Sequence, residues 1–253
     1  MLKFFRKIRR KLLDGGKLKR YLIYAAGETF LVMIGILLAL QVNNWNTQRL
    51  EASKNGKLLH KMSNEIQSNI DRAKDLIEKK EVSISYSTRL EKILVTGKPL
   101  DSLDVFFSGF QFPFQVIHPG FNSSAYQEAQ NTGALYSLGS DSLLFKIEKY
   151  FLLCDRESYI MLKRAENIAE LLENSPLAKT RTEYSFIKRY NLPKASFLSQ
   201  NKWLGDKTHP DYKKLTYVMV RSRAASRASQ NFCNRIIKES EKLMAAIKEE
   251  LKN

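Results

Sequence analysis

Hydrophobic residues form one long, nearly uninterrupted block close to the start of the chain. The block runs from Tyr21 to Val42 (YLIYAAGETFLVMIGILLALQV) and contains a single charged residue, Glu28. As a helix it would extend roughly 33 Å at about 1.5 Å per residue, enough to cross a hydrocarbon layer of about 30 Å. A single segment can cross lipid only as a helix, because a helix satisfies its own backbone polar groups. The pattern therefore predicts one transmembrane helix.

Beyond this block, hydrophobic positions recur at three- and four-residue steps in three long stretches, with charged residues between them. This spacing predicts amphipathic helices. The first continues from the transmembrane segment to about Leu94, where residues 95–99 (VTGKP) stop it. The second begins near Ser140 and ends at Ser175–Pro176, and the third begins after His209–Pro210. No alternating strand pattern occurs, so we expect an all-α fold, with an exported antiparallel helical bundle or coiled hairpin.

A short helix is predicted between the first and second long helices. Ser124 is its expected N-cap, Gln127 the reciprocal partner, and Gly133 the residue that closes it. Tyr126 and Ala129 share a face of this helix by spacing, which favours a core position for Tyr126 over a role in catalysis.

The charges that flank the hydrophobic block predict its orientation. Half of the net charge of +16 lies in the first 20 residues, whereas no charge follows the block until Arg49. Lys and Arg are retained on the cytoplasmic side. We therefore expect residues 1–16 to form a cytoplasmic basic tail, residues 17–45 the transmembrane helix, and residues 46–253 an exported helical domain.

A cleaved secretory signal also has a basic start and an apolar middle. Two features favour an uncleaved anchor instead. The apolar run is long, and the sequence at its end (ALQVNNWN) offers no good small-x-small cleavage site. A buried core helix is disfavoured too, because such a helix normally carries charges on one face. Trp45 and Tyr21 or Tyr24 are expected at the membrane interfaces.

The N-terminal tail has its own amphipathic pattern. Met1, Phe5, Ile8 and Leu12 recur at helical spacing, and basic residues occupy the other face. Such a helix lies against anionic lipid heads; alternatively, the charges only set the orientation. The candidate membrane-surface residues are Lys3, Arg6, Lys7, Arg9, Arg10 and Lys11. The other positive charges are spread through amphipathic helices without a nucleic-acid motif, so no nucleic-acid partner is expected.

One stripe of the transmembrane helix carries Glu28, Val32, Gly35 and Ala39. Gly35 and Ala39 form a small-xxx-small pair, which lets two helices approach closely. A carboxyl group within lipid is costly and is a functional candidate. These four residues are therefore a predicted helix–helix interface. The alternative is that Glu28 lies near the inner headgroups, where it is solvated.

Three segments of the chain carry a resemblance to a known family: FFRKIRRKLL, GETFLVMIGILLALQVNNWN and SAYQEAQNTGALYSLGSDSLLFKIEKYF. They resemble a family of small membrane proteins from Bacteroidota that is known only as a domain of unknown function. The similarity covers most of the chain and is weak after about Pro176. The resemblance implies a single anchor in the bacterial inner membrane, a helical periplasmic region and no established activity. It supplies no catalytic residues.

Phenylalanine is concentrated in a segment between Val105 and Phe121 that is broken by glycine and proline. If exposed, these rings would form a patch for a partner or a membrane. The favoured alternative is that they fill one end of the bundle, because aromatic burial stabilises a small domain strongly. The candidate residues are Phe106, Phe107, Phe110, Phe112 and Phe114.

Cysteine usage and catalytic motifs add little. Cys154 and Cys233 lie in the predicted exported region, where a disulfide could form, but two separately buried thiols are the favoured expectation. The three histidines are isolated in sequence, and no metal-binding, nucleophile or phosphate-loop motif occurs. We expect no cofactor and no enzymatic activity.

The sequence therefore predicts a non-enzymatic, membrane-anchored helical scaffold or interaction protein of the bacterial envelope. Its expected partners are membrane lipid and either an envelope protein or a second copy of the chain. The alternative is a periplasmic ligand-binding or sensory module with a single anchor. An envelope hydrolase is disfavoured, since no nucleophile–base set is found.

Overall fold

The computed structural model describes residues 18–97, 99–108 and 114–252 of the 253-residue chain. Within these ranges every regular element is helical, which confirms the all-α prediction. The predicted tail helix and its six basic candidates lie outside the described residues. The α-helices in chain order are α1 (Leu18–Thr96), α2 (Leu103–Ser108), α3 (Ser124–Thr132), α4 (Asp141–Glu173), α5 (Pro176–Arg189), α6 (Lys194–Gln200) and α7 (Pro210–Glu250).

The chain divides into two compact units. The described part of the first unit, up to Gly56, consists of the N-terminal part of α1. The second unit begins at Lys57 and contains the remainder of α1 and all the other helices. Its hydrophobic core is built mainly from α1, α4 and α7, because each presents buried side chains at alternating three- and four-residue steps.

Hydrogen bonds between long helices define their directions. Ser83 of α1 bonds Ser226 of α7, whereas Leu94, further along α1, accepts a bond from Tyr212 at the start of α7. Helices α1 and α7 are therefore antiparallel. Helices α4 and α7 are antiparallel as well, because Tyr150 pairs with Ser240 while Glu157 pairs with Arg235. It follows that α1 and α4 run in the same direction.

The segment of residues 115–123, which leads into α3, lies along α1 and has no regular secondary structure. Arg72 of α1 donates hydrogen bonds of 2.7 Å to the carbonyl oxygens of Pro119 and His118. Asn69 donates to the carbonyl of Asn122 (2.9 Å) and accepts from its backbone N–H (2.6 Å). A non-helical segment needs external partners for its backbone polar groups, and here two α1 side chains supply them.

Three clusters of buried apolar side chains follow one another along the bundle. The first cluster, at one end, includes Met62, Ile66 and Phe151. A small cluster in the middle, the third, consists of Ala73, Leu76, Met161 and Cys233. The second cluster, which is rich in aromatic residues, occupies the other end. The second cluster contains Leu90, Leu94, Phe106, Phe107, Phe197 and Leu204. Burial of these large side chains is the main stabilising contribution of the fold, at about 25 cal/mol per Å² of apolar surface.

Most predicted helix boundaries are confirmed. Helix α1 ends at Thr96, and α4 begins after Ser140, whose hydroxyl accepts a hydrogen bond of 3.3 Å from the Leu143 N–H. Helix α7 begins at Pro210, one residue earlier than predicted, and its N-cap is histidine: His209 Nδ1 accepts from the Asp211 N–H at 3.2 Å. A neutral imidazole nitrogen is an acceptor, so His209 replaces the usual Ser or Asp.

The predicted cap of the short helix α3 is wrong by one residue. Ser124 is its first helical residue rather than its N-cap, and Gln127 donates to the hydroxyl of Ser123 instead (3.1 Å). The first free N–H groups are satisfied from outside the helix: Asn122 accepts from Ser124, and Glu65 of α1 accepts from Ala125 at 2.8 Å. A carboxylate at a helix N-terminus is electrostatically favourable.

The C-terminal end of α3 agrees with the prediction. Gly133 closes it with φ of 71°, in the left-handed region that glycine adopts without strain. Tyr126 and Ala129 are both buried, which confirms the predicted core face of this helix.

Candidate functional site

The N-terminal unit presents an exposed apolar helix. Residues 22–42 of α1 contain many large hydrophobic side chains, and none of them is buried. This part of α1 is long and apolar enough to cross a membrane. The exposed side chains include Leu22, Ile23, Phe30, Leu31, Val32, Ile36, Leu37, Leu38, Leu40 and Val42.

The predicted helix–helix stripe lies on this exposed surface. Glu28, Val32, Gly35 and Ala39 are all exposed, and a Cβ added at Gly35 would have no heavy atom within 4 Å. The neighbouring Thr29 donates its hydroxyl hydrogen to the carbonyl of Ala25, four residues back in the same helix (2.8 Å). The stripe is thus available to a second helix, and the interface itself stays a prediction.

Of the two alternatives for the phenylalanine segment, the favoured one, burial at one end of the bundle, holds for the three candidates in the described ranges, and an exposed patch does not. Phe106, Phe107 and Phe114 are buried in the second core cluster. Phe107 stacks on Tyr184 with ring centroids 4.8 Å apart and meets Phe106 edge to face at 5.1 Å. Aromatic burial and ring packing outweigh exposure here. The other two candidates, Phe110 and Phe112, lie outside the described residues.

The possible disulfide is not formed. Cys154 and Cys233 are both free and buried, and they belong to different core clusters. Burial raises the pKa of the Cys154 thiol to about 12 and that of Cys233 to about 11. Both remain protonated at neutral pH, and a protonated thiol is a poor nucleophile.

The middle of the bundle contains a run of buried polar residues that we call the polar section. It interrupts the apolar seam of α1 at Lys80, Ser83 and Ser87, and that of α7 at Ser222, Ser226 and Ser229. Ser83 and Ser226 share a hydrogen bond of 2.9 Å, and the Ser87 hydroxyl donates to the Ser83 carbonyl at 2.8 Å. Two facing helices thus meet through small hydroxyl side chains instead of leucines.

Lys80 is the unusual member of the polar section. The residue is 8% exposed, and within the described part of the chain it makes no ion pair and no side-chain hydrogen bond. Burial lowers the pKa of Lys80, and Cys233 is the ionisable neighbour that opposes this shift. A buried ammonium without a counter-charge is costly. A negatively charged group from outside the chain would therefore stabilise the protein if it bound next to Lys80.

Lys80 lines a small cavity that adjoins a larger cleft. The cavity, of about 20 Å³, also touches Gln115, Ser222 and Ser226. A second opening, of about 280 Å³, lies between α4 and α7 and is lined by Arg164, Asn167, Ile168, Leu171, Arg221, Ala224 and Ala225. The two share Ile168 and Ala225 as walls. We call the larger opening the basic cleft.

The lining of the basic cleft is positively charged. It contains two guanidinium groups and no carboxylate. Arg164 lies over the ring of Phe232, with Cζ 5.2 Å from the ring centroid, and Arg221 lies over Tyr217 at 5.9 Å. Stacking on a ring leaves the in-plane N–H groups of guanidinium available to an anion.

Glu157 is a buried charge in the same bundle that, unlike Lys80, has charged partners. Its side chain is 2% exposed, and Oε1 accepts from Arg156 at 2.9 Å and from Arg235 of α7 at 3.1 Å. Two cations therefore compensate this carboxylate, as buried charges require. Within the described ranges, Lys80 of the polar section has no such compensation.

Sequence reasoning missed Lys80, Glu157 and the two cleft arginines. A usable signal was present in the three- and four-step spacing of α1, since Lys80 and Ser83 fall between Leu76 and Leu90 on the apolar seam. The segment RSRAASRAS in α7 likewise carries serines at seam positions. For Arg164 and Arg221 no such signal exists, because exposed arginines are common on amphipathic helices.

No metal centre is evident in the described ranges, since no three His, Cys, Asp or Glu side chains come together there. His209 acts as a helix cap. Asp104, which sequence spacing places near the phenylalanine segment, pairs with Lys188 at 3.0 Å and Lys194 at 3.4 Å, and hydrogen bonding from Lys188 lowers its pKa to about 2. Its surroundings are those of a surface ion pair.

A family of unknown function (DUF6090) matches residues 28–177. The match begins in the apolar part of α1 and ends at the start of α5, so it includes Lys80 and Arg164 but not the α7 side of the basic cleft. No curated protein and no solved structure is significantly similar to the chain.

Proposed function

This chain belongs to the family of unknown function DUF6090, and we propose that it is a non-enzymatic, membrane-anchored helical protein that associates with a partner helix in the bacterial envelope. The proposal assigns residues 17–45 to the inner membrane, the basic tail to the cytoplasm and the helical bundle to the periplasm. The partner is a second copy of the chain or another envelope protein.

One observation carries the proposal: the apolar segment of α1 has no buried residue. Transferring one large apolar side chain out of water contributes about 1.5–3 kcal/mol, and Leu31, Ile36 and Leu37 are only three of many on this segment. Such a surface is not stable in water, and a lipid bilayer removes it from water on all sides at once.

The direction of insertion rests on charge. Basic residues are concentrated before the apolar segment, and such residues stay on the cytoplasmic side. Protease added to intact spheroplasts tests this part. We expect digestion of the bundle and protection of a fragment that begins at Met1. Protection of the whole bundle, or a mature chain that begins near Asn43, would contradict the proposed anchor.

The association face is the stripe of Glu28, Val32, Gly35 and Ala39. Gly35 and Ala39 leave the backbone open to close approach, and van der Waals packing of small residues is a main source of helix association in lipid. Glu28 adds a polar group that lipid cannot satisfy, so a hydrogen bond across the interface favours association.

Energy transfer between donor- and acceptor-labelled full-length chains in lipid vesicles measures this association. Ala39→Leu fills the stripe and should weaken association about tenfold, or about 1.4 kcal/mol. The matched control is Ala26→Leu, the same change on the opposite face of the helix by spacing. If the two variants showed equal energy transfer, self-association through this stripe would be contradicted.

A hetero-partner is tested in the same system. If donor- and acceptor-labelled wild-type chains show no energy transfer with each other, chemical crosslinking in native membranes should give one stoichiometric adduct that Ala39→Leu loses and Ala26→Leu retains. The absence of any adduct would contradict an interaction through this stripe.

A ligand-binding or sensory module is the second candidate function. The basic cleft favours it, because a positively charged opening beside a buried, uncompensated lysine is suited to a small ligand. This function is compatible with the same membrane anchor.

A further inference from the structure

We propose that the basic cleft and the adjoining Lys80 cavity form one binding site for a small organic oxyanion, a carboxylate or phosphate ester with an apolar part. The site lies wholly within the bundle, between α1, α4 and α7. It is independent of the helix association proposed above.

The first argument is the missing counter-charge of Lys80. Buried charges in proteins are paired, and Glu157 follows that rule with two arginines. Lys80 has no charged partner among the described residues. The other described residues that line its cavity are neutral, and their polar groups are the hydroxyls of Ser222 and Ser226 and the amide of Gln115. A bound anion supplies the opposite charge that no described residue provides.

The second argument is the size and continuity of the two openings. The cavity of about 20 Å³ accepts a group of about the size of one water molecule, such as one oxygen of an anion. The cleft of about 280 Å³ is near the lower end of the range for small-molecule sites. Ile168 and Ala225 line both openings, so the cavity and the cleft adjoin, and the proposal treats them as one site.

The third argument is the chemistry of the cleft. Arg164 and Arg221 present planar guanidinium groups, which match carboxylate and phosphate oxygens in bidentate geometry. No carboxylate of the lining competes for them. The walls formed by Ile168, Leu171 and Ala224 are apolar, which suits the carbon part of a small organic anion better than a fully hydrated inorganic ion.

The arrangement also explains how binding would affect the bundle. Lys80 belongs to α1, Arg164 to α4 and Arg221 to α7, so the lining of the proposed site comes from all three long helices. Binding to the native state alone stabilises it in proportion to the logarithm of ligand concentration. The ligand would therefore raise the unfolding temperature of the full chain.

Isothermal titration calorimetry on the full-length protein in detergent tests the site, with phenyl phosphate and benzoate as separate probes at constant ionic strength. Binding of either probe is expected, and the stronger one identifies the anionic group. Binding of neither overturns the proposal. The ionic strength is held constant because added probe would otherwise change the screening of all charge interactions in the protein.

Variants distinguish a specific site from diffuse attraction. Arg221→Gln should weaken the bound probe about tenfold, as expected for a lost charged hydrogen bond of about 1.4 kcal/mol. Arg227→Gln is the matched control, because Arg227 is an exposed arginine of the same helix that does not line the cleft. Equal weakening by both variants would overturn the proposal.

Lys80→Met gives the decisive readout. Without probe, this variant should unfold at a higher temperature than the wild type, since it removes a buried charge without a counter-charge and keeps an unbranched side chain that is one atom shorter. Its probe affinity should fall at least tenfold, or about 1.4 kcal/mol. Unchanged affinity in Lys80→Met would overturn the proposal, and helix association should be unaffected in either case.

Discussion

Ser83 of α1 and Ser226 of α7 share a hydrogen bond of 2.9 Å in the buried contact between the two helices. In the buried contact between two amphipathic helices, leucine or isoleucine usually occupies such positions. Two small hydroxyls satisfy each other's polar groups and leave room beside them, and Ser226 itself lines the cavity that contains Lys80. The polar section is thus both a specific helix contact and the reason for the cavity.

Replacing Ser226 tests the importance of this small, polar contact. Ser226→Ala should lower the free energy of unfolding by about 1 kcal/mol, because the Ser83 hydroxyl loses its partner. Ser226→Leu should cost more, about 1–3 kcal/mol, because the larger side chain overpacks the seam. Urea unfolding of the full chain in detergent, followed by circular dichroism, measures both.

Ser68→Leu is the control for the larger substitution. Ser68 is an exposed residue of α1, and surface changes of this kind usually stay within about 0.5 kcal/mol. If Ser226→Leu were no more destabilising than Ser68→Leu, the contact between α1 and α7 would not be tightly packed at this level.

The ion pair between Glu157 and Arg235 should show non-additive behaviour. Arg235→Met leaves the buried carboxylate with Arg156 alone and should destabilise by about 2 kcal/mol, the magnitude of a hydrogen bond to a charged group. In a Glu157→Met background the same change should cost much less, because no buried charge is left unpaired. A double-mutant cycle from urea unfolding gives the coupling energy, and additive effects would contradict a direct interaction.

The stability of the protein should depend on pH through Lys80. Burial lowers its pKa below the ordinary value of 10.5, so the folded state binds fewer protons than the unfolded state between the lowered pKa and 10.5. Stability therefore rises with pH in that window, and below it the full cost of burying the charge is present. Urea midpoints of wild type and Lys80→Met, measured from neutral to alkaline pH, should converge as pH rises.

The comparison with Lys80→Met is needed because other groups act in the opposite direction. Cys233, which faces Lys80 from α7, has a pKa raised by burial from 9.0 to about 11, so its contribution falls as pH rises through that interval. The neighbours of Lys80 from α4, Ala165 and Ile168, do not titrate. A difference between the two proteins that stayed constant with pH would contradict a lowered pKa of Lys80.

Helix positions were largely predictable from sequence because their signals are local. Ser140 before α4 and Pro210 at the start of α7 are terminus signals that need no knowledge of the rest of the fold. The predicted N-terminus of α3 lies one residue too late, because its first N–H groups are satisfied by Asn122 and by Glu65 from α1. Sequence spacing cannot reveal a partner that lies 60 residues away.

The burial of individual side chains was less predictable than helix positions, because it depends on residues that are distant in sequence. The phenylalanine segment supported both an exposed patch and a filled core, and the burial of Phe107 depends on Tyr184 and Phe197, which come from α5 and α6. Conversely, Lys80 looks like an ordinary charged residue of an amphipathic helix. Only its position on the seam, between Leu76 and Leu90, indicates otherwise.

By itself, the sequence determined the helical class, the lengths of the long helices and the apolar segment from Tyr21 to Val42, because each depends on spacing and composition along one stretch of chain. The tertiary structure alone decided that α1 and α4 run in the same direction, that Cys154 and Cys233 stay apart, and that Arg164 and Arg221 line one cleft beside Lys80. Those features depend on which residues from distant helices meet, and the free energy of burying a charge is set by those neighbours.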